Sequence, residues 1–153
     1  MKTSKNKKLN KKKEEIGPYS SIKFLRFSLA LAALIAVAAH LYAVPAATSI
    51  ATMYLDVEVA LYILIAIIYI LGLKMWYWPA LIYSVFNICL FFVSGVVAIP
   101  GITQQPLIGH IEFLQYSFGR AGSVTAWLYL IIFGILAIKY DKGSKINEVL
   151  QES

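Results

Sequence analysis

The chain has 153 residues, 59% of them hydrophobic and only 14% charged, with a formal net charge of +6. A soluble domain usually carries about 25% charged residues, so this composition excludes an ordinary soluble fold and points to a multi-pass membrane protein. The basic excess does not mark a nucleic-acid binder, because Lys2, Lys5, Lys7, Lys8, Lys11, Lys12 and Lys13 form one N-terminal run ahead of an apolar segment.

Residues 1–20 are polar, Lys-rich and poor in apolar side chains. They read as a disordered, polybasic cytoplasmic tail that contacts anionic lipid head groups. Residues 21–140 read as a four-helix membrane domain, with spans at about 24–43, 55–73, 79–99 and 123–140. Each span is close to the roughly 20 residues that cross a hydrocarbon core of about 30 Å. A secretory signal competes for the first span, but signal cores run about 7–15 residues, and this one is longer.

Pro45 to Tyr54 reads as a short loop, after which Asp56 and Glu58 open span two. Lys74-Met75-Trp76-Tyr77-Trp78-Pro79 is the tight connection to span three, with Gly72 before it and Pro79 at the start of the next helix. Pro100-Gly101 ends span three. Leu107, Ile111, Leu114 and Phe118 then share one helical face, which predicts a short interfacial helix between spans three and four. Residues 141–153 read as a second cytoplasmic tail. The fold expected is an all-α antiparallel bundle of four transmembrane helices.

Four spans place 13 of the 14 Lys and Arg residues on one side, leaving only Arg120 on the other. By the positive-inside rule that side is cytoplasmic, and both termini lie there, in a cell membrane. Trp76, Tyr77, Trp78 and Tyr140 fall at the inner interface. Tyr42, Tyr54 and Trp127 fall at the outer one, as an aromatic belt would.

Candidate chemistry gathers at the outer side: His40, Asp56, Glu58, His110, Glu112 and Arg120. Imidazole and carboxylates could hold a metal, two histidines a haem, or the group a quinone-like head group. The plainer reading is that Asp56 and Glu58 cap a helix, and that the loop residues are solvated. No fixed-spacing metal motif is present, and the one cysteine, Cys89, has no Cys or His at ligand spacing. The metal expectation is therefore none.

His40 stands out because Ser28, Ala32, Ala36 and His40 step by four along one face. Small residues on one face mark helix–helix contact in membranes, which turns His40 inward. Glu58, Tyr62, Ala66 and Tyr69 share a face of span two, and Ala80, Ser84, Asn87, Phe91, Ser94 and Ala98 one of span three. Tyr62, Tyr69 and Asn87 form the expected buried polar stripe. Asn87 is expected to bond across helices to Tyr69, and His40 to lie beside Glu58.

The four spans, the acid opening span two and the aromatic turn before span three resemble the layout of DoxX-type membrane proteins. The likeness rests on Glu58 to Leu73 and on general architecture. It implies redox or quinone-linked work and carries no residue's role with it.

Three functions compete on the sequence. The first is a small accessory or assembly subunit of a larger membrane complex, with membrane-protein partners or a second copy of itself. The second is a redox or lipophile-binding protein, for haem or quinone, built on the outer His and carboxylate cluster. The third is a small oligomeric transporter or channel. An enzyme is the lesser expectation, no particular cofactor is specified, and nucleic acid is not a partner.

Overall fold

The computed structural model describes residues 18–43, 49–97, 118–144 and 146. Among them the chain is all-helical: α1 (Pro18–Ala43), α2 (Ser49–Leu71), α3 (Tyr77–Val96) and α4 (Phe118–Tyr140), with one 3-10 turn at Lys74–Trp76. Four stretches are long and apolar enough to cross a membrane: Ser21–Ala43, Thr52–Leu71, Lys74–Ser94 and Gly119–Tyr140. Residues 1–17 of the expected tail, residues 98–117 of the expected interfacial segment with its His110 and Glu112, and residues 145 and 147–153 of the C-terminal tail lie outside the described residues.

Three helices start earlier than the sequence reading placed them: α1 at Pro18, inside the expected tail, α4 at Phe118, a residue expected in the interfacial helix, and α2 at Ser49. α2 begins at Ser49, so the expected loop from Pro45 to Tyr54 is already helical through much of its length. Asp56 and Glu58 therefore sit about two turns inside the helix. They cannot cap its free N–H groups, which belong to the first turn alone.

α1 is the packing hub, with close backbone approach to α2 and to α4, while α3 approaches mainly α4. The cause is an alanine seam. Ala30, Ala32, Ala33, Ala36 and Ala39 are all buried on α1, and such small side chains let helix backbones come together. Consecutive α2 and α3 approach each other far less. The interior beside them is filled by large side chains instead, with Glu58, Tyr62, Tyr69, Tyr77 and Asn87 all fully buried. The outward faces carry exposed Leu, Ile, Val and Phe, as lipid-facing surfaces do.

The α2–α3 connection is fixed by Gly72. Its φ of 67° is left-handed backbone, suited to glycine. Gly72 N–H reaches Tyr69 O (3.2 Å) and Leu73 N–H reaches Ile68 O (3.0 Å), the paired bonds of a Schellman ending. Pro79 is the third residue of α3, where its missing N–H would have had no helical acceptor.

Candidate functional site

Two buried polar clusters lie among the four helices. The first is built on Glu58, which is 2% exposed. Tyr83 Oη donates to Glu58 Oε1 at 2.6 Å, and Asn87 Nδ2 donates to Glu58 Oε2 at 2.8 Å. Asn87 Nδ2 also donates to Tyr62 Oη at 2.9 Å, and Tyr54 Oη donates to Asn87 Oδ1 at 3.3 Å. These bonds fix the amide's orientation, since the reversed amide would set an oxygen against the carboxylate.

The periodicity of both helices explains this meeting. Tyr54, Glu58 and Tyr62 step by four on α2, and Tyr83 and Asn87 step by four on α3, so each set lines one face. Two helix faces then supply an acceptor pair and three donors at the same depth.

His40 enters from α1 and is 5% exposed. Its Nδ1 lies 2.6 Å from the Ala36 carbonyl oxygen. A carbonyl can only accept, so Nδ1 carries a hydrogen and donates it. That leaves Nε2 as the atom facing Glu58, at 4.0 Å from Oε2. This exceeds hydrogen-bond length, so the two groups face each other across a gap. The His40 ring stacks on Tyr62 (centroids 5.7 Å apart) and lies against Trp127 (5.9 Å), which meets Phe91 edge-on.

Trp127 is 6% exposed, and its indole N–H has no acceptor among the described residues. A buried donor left unpaired costs about 1–3 kcal/mol. The aromatic-belt assignment of Trp127 is thus corrected: the ring is packed inside, on the same face of α4 as Ser123, Leu130, Gly134 and Ala137.

The second cluster sits where other helix ends meet. Arg26 near the start of α1 grips Asp141 just past α4, Nε to Oδ2 at 2.6 Å and Nη2 to Oδ1 at 2.5 Å. Tyr77 Oη donates to Asp141 Oδ2 at 2.7 Å, and Gly143 N–H to Oδ1 at 2.8 Å. Ser144 N–H closes on the Gly72 carbonyl at 3.1 Å. Burial pushes the Asp141 carboxyl upward, but the bonds from Arg26, Tyr77 and Gly143, with the Arg26 charge, outweigh it and hold the carboxyl below its ordinary value.

Of the sequence candidates, the structure brings His40, Glu58, Tyr62 and Asn87 together. Asp56 is exposed, because two residues turn a side chain to nearly the opposite face of a helix. Arg120 lies in the first turn of α4, half-buried. The expected Asn87–Tyr69 bond is replaced by Asn87–Tyr62, two steps earlier on the same face, and the Tyr69 hydroxyl is buried beside Gly134 without a partner among the described residues. Among the described residues no three of His, Cys, Asp and Glu gather as metal ligands.

Sequence reasoning missed Tyr54, Tyr83, Trp127 and the Arg26–Asp141–Tyr77 group. The signal was present for each. Tyr54 and Tyr83 lie four residues before Glu58 and Asn87, and Asp141 continues the inward series Trp127, Leu130, Gly134, Ala137 by one more step.

Comparison with protein-family models, with curated proteins and with solved structures finds no match. The comparisons thus lend no support to the DoxX-type layout, and every role assigned to a residue rests on its own geometry.

Proposed function

We propose that the chain is an antiparallel four-span bundle of the cell membrane, with both termini cytoplasmic, and that the Glu58 cluster binds a small lipophilic molecule by its polar head. The antiparallel reading is supported by which ends meet. Arg26 in the early turns of α1 pairs with Asp141 beyond α4, whereas His40 near the end of α1 faces Glu58 in the first half of α2. The orientation is supported by the segregation of 13 of 14 basic residues. The same rule leaves the polybasic tail on the anionic cytoplasmic leaflet.

The observation that carries the binding reading is the 4.0 Å gap between His40 Nε2 and Glu58 Oε2, both groups being enclosed. Ionisable side chains inside a membrane domain are costly and mark functional sites. Here one imidazole nitrogen and one carboxylate oxygen are aimed at each other yet stop short of bonding. The rings of Tyr62 and Trp127 lie against His40, Tyr83 meets Tyr62 and Phe91 meets Trp127, and together they would take an apolar ligand body.

The test is solvent extraction of detergent-purified protein followed by mass analysis of what was bound. The reading expects a lipophile near equimolar with wild type, and reduced in His40→Ala and Glu58→Gln proteins that still fold. Equal lipid content in all three would contradict it.

A second reading is favoured by one observation. Both Glu58 oxygens and all three Asn87 bonds are satisfied within the chain, as a cluster that only fixes helix register requires. The protein would then be an accessory or assembly subunit that presents its apolar outer faces to a membrane partner or to a second copy. Wild type without a lipophile, but migrating with a stoichiometric partner on a native gel, would favour it.

A further inference from the structure

Trp127 is 6% exposed, and its N–H finds no acceptor among the described residues, whereas the donors of His40, Tyr83, Asn87 and Tyr54 each find one. A phenyl ring would fill most of the same space without an unpaired donor. The indole lies against His40 on one side and Phe91 on the other. Phe91 is half-buried and Phe92 exposed, so Trp127 is one side chain away from the lipid-facing surface of α3.

Chemistry narrows the class of ligand. An indole N–H can only donate, so the ligand atom must be an acceptor. The acidic Glu58, on the other side of His40, disfavours an anionic head, and an ammonium head has no lone pair to offer the N–H. A neutral oxygen on an apolar body satisfies both conditions. We propose that Trp127 Nε1–H is the ligand-binding donor of this site, and that it takes the carbonyl oxygen of an uncharged lipophile, such as an ester or ketone, entering between α3 and α4 from the bilayer. This rests on the lipophile-binding reading of the Glu58 cluster and adds the ligand's polar group, its charge and its route.

The test uses full-length protein in detergent with isotope-labelled tryptophan, whose three indole N–H signals, from Trp76, Trp78 and Trp127, are resolved by NMR. Trp127→Phe assigns the signal. The probes are methyl decanoate, which has a carbonyl, and undecane, which has none. The proposal expects the ester alone to shift the Trp127 signal, leaving Trp76 and Trp78 unmoved, and the ester to bind roughly tenfold more weakly to Trp127→Phe. If Trp127→Phe does not fold, the ester-against-alkane comparison on wild type decides. A signal moved equally by both probes, or an ester affinity unchanged in Trp127→Phe, overturns the donor assignment but leaves lipophile binding standing. A Trp127 signal that exchanges rapidly with heavy water and ignores both probes means that a structural water occupies the N–H, which overturns the proposal. If neither probe binds wild type by any signal, both the proposal and the reading beneath it fail.

Discussion

Arg26 and Asp141 stand 115 residues apart and meet through two parallel hydrogen bonds, 2.6 and 2.5 Å long, so that the start of α1 is tied to the end of α4. Asp141 is 1% exposed, and Arg26 is 16% exposed by its side chain. Removing the carboxylate leaves a largely enclosed guanidinium without its counter-charge. Asp141→Asn is expected to destabilise the protein by about 3 kcal/mol at neutral pH, the lower end of what breaking a buried pair costs. A melting curve in detergent that matches wild type would contradict this.

The same pair gives a pH dependence of definite sign. The Asp141 carboxyl is held below its ordinary value of 3.8. Its contribution to stability is therefore complete above that unfolded-state value and is lost as pH falls through the lower folded value. Wild type should lose stability below about pH 4 more steeply than Asp141→Asn. Thermal melts across pH 2 to 6 check it, and parallel slopes for the two proteins would count against the account.

Gly72 carries two separate constraints. Its φ is 67°, and a Cβ there would collide with the Arg26 guanidinium. Gly72→Ala should cost more than the roughly 1–2 kcal/mol of left-handed strain alone. Gly72→Asn tolerates that backbone but still carries a Cβ, so it too should be clearly destabilised. A near-neutral Gly72→Asn would show that the crowding by Arg26 is unimportant.

Asn87 joins α2 to α3 through Glu58, Tyr62 and Tyr54. Asn87→Leu strips Glu58 of one donor and is expected to cost about 0.6–2 kcal/mol, the range for interhelical polar bonds in membranes. Denaturation in mixed micelles measures it. An unchanged midpoint would mean that the amide contributes nothing to holding α2 and α3 in register.

The four long apolar helices among the described residues were legible because apolar runs near 20 residues stand out from the polar segments between them. The start of α2 was not. Thr52, Tyr54 and Asp56 interrupt the apolar run, but they do not interrupt the helix, so hydropathy places the boundary too late. The inward faces of His40, Glu58 and Asn87 followed from four-residue spacing. Which turn of α3 meets which turn of α2 did not follow, because Tyr62 and Tyr69 lie on one face and periodicity cannot choose between them. Asp141 follows Lys139 and Tyr140 at the end of a span and so looks like the first residue of a solvated tail. Its partner Arg26 belongs to a remote part of the chain, and only the inward register of α4 hints at the pairing.

On the proposed function, His40 and Glu58 together hold a ligand and do not merely join two helices. Native mass spectrometry of protein released gently from detergent tests it most directly. Wild type should carry one additional uncharged lipophilic mass, and this mass should be reduced in folded His40→Ala protein. A wild-type spectrum with the bare polypeptide mass alone, or with an adduct that His40→Ala retains in full, would contradict it.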